Sequence, residues 1–73
     1  MGLNYVGTLL DEQVSGTLIR FQRSNNRVEE LKDDLDMLLV FEKKPVSRLE
    51  VRDAMTNVLS WSRTPDGKWE KHE

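Results

Sequence analysis

The sequence predicts a mainly α-helical domain, three helices followed by a C-terminal β-hairpin, and three observations predict it. Apolar residues recur at intervals of three and four through residues 3–21, 28–38 and 51–59, the spacing that aligns side chains along one face of a helix. Ser47 and Glu50 stand three residues apart ahead of the last of these stretches, which is the form of a capping box. Thr64-Pro65-Asp66-Gly67 has the composition of a tight turn between two short alternating segments. The 73 residues make a single domain over 1–73. Its core is thin, since a chain of this size buries only about 60–65% of the surface it exposes when unfolded.

The first helix is expected over about 9–22. Leu3, Val6, Leu10, Val14, Leu18 and Phe21 share a helical face, Thr8 and Asp11 form a capping pair, and Arg20 and Arg23 close the last turn as the helix dipole prefers. A second reading of the same stretch is an α+β fold with an additional N-terminal hairpin. Tyr5-Val6-Gly7-Thr8-Leu9-Leu10 and Val14-Ser15-Gly16-Thr17-Leu18-Ile19 are similar segments that Asp11-Glu12-Gln13 would join. Gly7 and Gly16 would each cost a helix about 1 kcal/mol relative to alanine.

Ser24-Asn25-Asn26 is a turn signal. After it, Val28, Leu31, Leu35 and Leu38 give a second helix over about 27–43, capped by Asn26 with Glu29 and closed by Lys43, Lys44 and Pro45. Its run Met37-Leu38-Leu39-Val40-Phe41 is apolar nearly all round, so this end is covered on several sides or presents an exposed patch. The third helix is expected over about 48–60. Ser47 and Glu50 supply the capping box, Val46 and Val51 a hydrophobic staple, and Val51, Met55, Val58 and Leu59 the buried face. In the terminal hairpin Gly67 is expected at positive φ, and Trp61 or Trp69 must dock on the helices, because an isolated hairpin is marginal in water.

Composition narrows function mainly by exclusion. There is no cysteine, and the single histidine, His72, is the penultimate residue, so the side chains that most often act as nucleophile, metal ligand or general base at neutral pH are not offered where a cleft could hold them. No enzyme, cofactor or metal site is therefore expected. Glu29, Asp33 and Asp36 would share a helical face, but Mg²⁺ and Ca²⁺ need six or more ligands from a shaped loop, and a solvated acidic face is the simpler reading. No apolar run approaches the roughly 20 residues of a membrane span and no secretory signal is readable, so a cytoplasmic protein is expected.

Charge is divided unevenly. Residues 1–42 carry four basic against eight acidic side chains and residues 43–73 carry seven against five, giving −4 and +2 within a net charge of −2. That polarity can orient a protein on a charged partner but lacks the basic footprint of a dedicated nucleic-acid binder. The candidate partner-binding residues are Arg48, Arg52, Trp61, Arg63, Lys68 and Trp69, the cations by their clustering in the C-terminal half and the tryptophans by their weight in interfaces. One alternative is a winged-helix-like DNA binder, with Arg48 and Arg52 on a recognition helix and Arg63 and Lys68 on the wing. Another is a helical assembly subunit, because apolar residues also fall at heptad spacing through residues 3–38.

In length, in lack of cysteine and in charge-rich, motif-free character the chain resembles small bacteriophage proteins that bind host RNA polymerase and regulate transcription. No motif carries this resemblance, so it transfers no functional residue. It implies a non-enzymatic protein ligand of bacterial RNA polymerase that inhibits initiation and promotes read-through, in the host cytoplasm. Direct reading of nucleic acid forms no part of it. The helical domain itself is expected to be a monomer or weak dimer.

Overall fold

The computed structural model describes residues 3–72. Their elements run β1 (Tyr5–Gln13), β2 (Gly16–Asn25), α1 (Val28–Phe41), β3 (Arg48–Asp53), β4 (Leu59–Arg63) and β5 (Glu70–Lys71). All five strands join one antiparallel sheet in the order β2-β1-β3-β4-β5. The connection from β2 through α1 to β3 therefore passes over β1, and α1 lies against β1, β2 and β3 on a single face of the sheet.

The expected mainly α, three-helix fold is thus overturned: the described residues form mainly antiparallel β-sheet with one helix. In place of the first helix stands the hairpin β1–β2, the alternative that Gly7 and Gly16 favoured, although its turn is Val14-Ser15 and not Asp11-Glu12-Gln13. Both glycines have physical reasons to be there. Gly16 takes φ +136°, a conformation side-chain-bearing residues rarely adopt. Gly7 faces α1 so closely that a Cβ would lie 2.7 Å from Leu35 Cδ1 and 2.9 Å from Leu31 Cγ.

The third helix is absent as well. Residues 48–53 form β3, in which Leu49 and Val51 point into the core and Arg48, Glu50 and Arg52 lie on the opposite face, a period of two that the short run disguised. The capping residues serve other ends. The Ser47 hydroxyl accepts the Glu12 backbone N–H at 2.9 Å, and the Glu50 carboxylate is gripped by arginines. Met55 and Val58, expected on a buried face, are 94% and 58% exposed in the turn joining β3 to β4. Asp53 builds that turn by accepting the N–H groups of Met55 and Thr56 at 2.8 and 3.0 Å, and Asn57 closes it at φ 60°, which asparagine tolerates.

Two elements match the expectation more nearly. The helix occupies 28–41, but its N-cap is Arg27 with no side-chain cap, and no basic residue lies in its last turn. Asn25 serves the entry instead, accepting the Arg27 N–H at 2.9 Å. The terminal hairpin forms with Gly67 N–H bonded to Thr64 C=O at 3.0 Å. Gly67 is not at positive φ, and its lack of a Cβ makes room for the Thr64 hydroxyl.

The core is one cluster between α1 and the sheet. Leu9, Leu31, Leu35, Leu49 and Val51 are fully buried, Val46 closes one side, and Tyr5, Phe21, Leu38, Leu39, Trp61 and Trp69 pack around them partly buried. Cross-strand register sets this directly, since Leu9 stands opposite Phe21 and Leu49, and Val51 stands opposite Gly7 and Trp61. Among the described residues no helix is long and apolar enough to cross a membrane.

Candidate functional site

The six candidate residues divide between the two faces of the sheet, and most are committed to the fold. Arg48 and Arg52 flank Glu50 on the uncovered face. Arg48 Nε lies 2.8 Å from Glu50 Oε2, and its hydrogen is not directed at that oxygen, so the contact is ionic. Arg52 Nε donates to Glu50 Oε1 at 3.2 Å. Each arginine has a second tie, Arg48 to Glu12 Oε1 at 3.3 Å and Arg52 to the Asn57 carbonyl at 3.0 Å. Glu50 itself is only 5% exposed, and a carboxylate taken that far from water needs such pairing.

Trp61, Arg63 and Trp69 stand on the other face and fasten the terminal hairpin to α1. Asp36, on the flank of the helix, accepts from Arg63 Nη1 and from Trp69 Nε1, the latter at 3.0 Å. Arg63 spends its remaining donors on its own turn, at the Gly67 and Pro65 carbonyls. One helical turn earlier, Lys32 lays its ammonium 3.6 Å from the ring centre of Trp61 and 5.8 Å from that of Trp69, the geometry in which a cation is attracted by an aromatic face. Both tryptophans therefore dock on the helix, as the hairpin required. Asp36, expected on a solvated acidic face, holds Trp69 and Arg63, and Lys32 holds Trp61.

Lys68 is exposed and shares a hollow of about 130 Å³ with Arg48, Ser62, Arg63, Thr64, Gly67 and Glu70. The structure thus brings Arg48, Arg63 and Lys68 together, leaves Arg52 near Arg48 on one strand, and puts the tryptophans across the sheet. Beside this hollow the Ser62 hydroxyl lies 2.5 Å from His72 Nε2, a contact the terminal position of His72 did not suggest. No carboxylate among the described residues is hydrogen-bonded to that imidazole, so nothing there fixes its tautomer as a nucleophile–base pair requires. Nor do three or more His, Cys, Asp or Glu side chains among the described residues converge as a metal site would need.

Exposed apolar side chains lie at the turns and on β2, at Val14, Leu18, Ile19, Met55 and Val58, and on the outer face of α1. Of the run 37–41, Leu38 and Leu39 turn partly into the core, whereas Met37, Val40 and Phe41 are 58%, 77% and 73% exposed. Residues three and four apart are neighbours on a helix surface, so these three make one apolar patch over its last turns. Next to Met37 is a second hollow, about 180 Å³, lined by Arg23, Asp34, Met37 and Leu38. The apolar run had already marked this end of the helix; which side chains face outward is set by the packing of Leu31 and Leu35 on β1. Comparison with protein-family models, with curated proteins and with solved structures finds no match to this chain.

Proposed function

We propose that this chain is a non-enzymatic binding protein that regulates a larger protein, docking it through the outer face of α1. The observation that carries the reading is the exposure of Met37, Val40 and Phe41 on an ordered helix whose opposite side is fully packed. Contiguous exposed apolar area on a small domain is characteristic of interaction surfaces, and the core does not use these three residues. Of the six candidates, Arg48, Arg52, Arg63, Trp61 and Trp69 are engaged within the fold and Lys68 alone is exposed without such a tie among the described residues, which centres the proposed interface on the apolar end of the helix.

We take the partner from the resemblance to small phage regulators: bacterial RNA polymerase, with inhibition of initiation or antitermination as the effect. A DNA-binding reading fares worse. The recognition helix it needs at 48–60 is a strand and a turn, and Arg48 and Arg52 are held by Glu50, with Arg48 also paired to Glu12. The test is co-elution of the chain with purified bacterial RNA polymerase in gel filtration, with wild type beside Val40→Asp/Phe41→Asp. Co-elution of wild type alone supports the proposal. Absence of binding by wild type removes polymerase as the partner, and equal binding by the variant removes the helix face as the docking surface.

A further inference from the structure

We propose that a second copy of this chain covers the outer face of α1, the two helices packing antiparallel about a two-fold axis that passes between Met37 and Phe41. A surface that binds its own copy through a two-fold axis must be self-complementary, so that each residue meets one whose partner it also is. The end of α1 meets that condition in shape and in charge. The shape consists of a projecting Phe41, 73% exposed, one turn from the hollow lined by Met37, Leu38, Arg23 and Asp34. An antiparallel crossing centred between Met37 and Phe41 sets residue 37 of one copy against residue 41 of the other. Each Phe41 then enters the hollow beside Met37 of the other copy.

The charge pattern points the same way. On the N-terminal side of the stripe stand Asp33 and Asp34, and on its C-terminal side stand Lys43 and Lys44, all four exposed. None of the four takes part in an ion pair among the described residues. Antiparallel packing brings Asp33 and Asp34 of each helix beside the lysines that follow the other helix, whereas parallel packing would set like charges together. Antiparallel helices also oppose their dipoles favourably.

The free edge of β2 is a poorer route to a dimer. Arg20 is the extra residue of a bulge in that strand, opposite the Leu9–Leu10 step, and a bulge with an arginine on an edge strand discourages further strand pairing. The helix contact is small compared with the roughly 800 Å² per partner of a stable interface, so the dimer is weak, with a dissociation constant on the order of 10–100 μM. The inference goes beyond polymerase binding and does not rest on it: a larger partner would displace the second copy from the same residues.

Sedimentation equilibrium of the full chain from about 5 μM to 1 mM tests this, with three variants beside wild type. Wild type is expected to pass from monomer to dimer across that range. Phe41→Asp is expected to weaken the association tenfold or more, and Lys43→Glu/Lys44→Glu to do the same. An equimolar mixture of Lys43→Glu/Lys44→Glu with Asp33→Lys/Asp34→Lys should recover association as a mixed pair, an outcome that unfolding of either variant could not produce. Wild type that stays monomeric at 1 mM overturns the proposal. So does a Phe41→Asp variant that dimerises as wild type does, or a mixture that fails to associate although circular dichroism shows both variants folded. Monomeric wild type that still binds polymerase would sink only the self-pairing.

Discussion

The inner face of α1 and the outer side of its last turns carry the same kinds of apolar residue at helical spacing, and the fold treats them oppositely. Leu31 and Leu35 are fully buried against Gly7, Leu9 and the centre of the sheet, while Met37, Val40 and Phe41, on the next turns of the same helix, face outward. Helix formation alone would not distinguish them. The distinction comes from the sheet, which is wide enough to cover one side of one helix and offers nothing to the other. Apolar residues on the inner face therefore report on stability and those on the outer face on association.

The sharpest contrast should come from the core side. Leu35→Ala removes a fully buried side chain that packs on Gly7, which has no side chain to fill the space left, and it should cost about 3 kcal/mol. In a domain of this size that is a fall in melting temperature of roughly 10–20 °C, measured by circular dichroism. A loss under about 1 kcal/mol would mean that the inner face is not the packed side.

The flank of the helix should give an intermediate effect. Asp36→Ala frees Trp69 Nε1–H and one arm of Arg63 together, and losing hydrogen bonds that a carboxylate accepts costs about 1.5–3 kcal/mol. Its second signature is local: Trp61 and Trp69 fluorescence should shift to the red, and hydrogen exchange at residues 64–71 should speed up before the rest of the sheet opens. Unchanged tryptophan emission would break the assignment of Asp36 as the hairpin's anchor.

The smallest of these effects lies at the β3–β4 turn. The backbone N–H of Thr56, and then that of Met55, hold the Asp53 carboxyl below its ordinary value of 3.8. A carboxyl depressed in the folded state lends stability that is fully present above the unfolded value and is lost as pH falls through the folded one. Wild type should therefore lose urea resistance more steeply than Asp53→Asn between about pH 4 and pH 2, and the two should not diverge from pH 5 to 7. A parallel pair of curves would show that the turn does not depend on this charge.

Those differences also explain what the sequence could reveal. The one helix was legible because its apolar spacing runs uninterrupted over four turns between a turn signal and Pro45. The terminal hairpin was legible because Thr64-Pro65-Asp66-Gly67 names its own turn. The rest was hidden by coincidences of period. Over residues 3–21 the apolar residues fit a helical stripe, while the strand pattern that forms shares Gly7, Leu9 and Phe21 with the helix-covered face and sends Leu10 to the other. Over 46–51 the capping-box and staple patterns arose by chance in a segment whose Leu49 and Val51 are paired with strands far away in sequence, which no local pattern records. At the candidate site, the apolar end of the helix was readable in advance. The internal fates of Arg48, Arg52, Arg63 and the two tryptophans were not, because each depends on a partner from another element.

Urea unfolding of wild type and Phe41→Asp over a series of protein concentrations tests the division between the two faces most directly. At the dilute limit the two midpoints should agree to within about 0.5 kcal/mol. As concentration rises, only wild type should gain stability, since a copy that binds the folded state shifts unfolding by mass action. A Phe41→Asp midpoint already lowered by 2 kcal/mol or so in dilute solution, the scale of a core substitution, would contradict the account and make the outer face part of what holds the fold together.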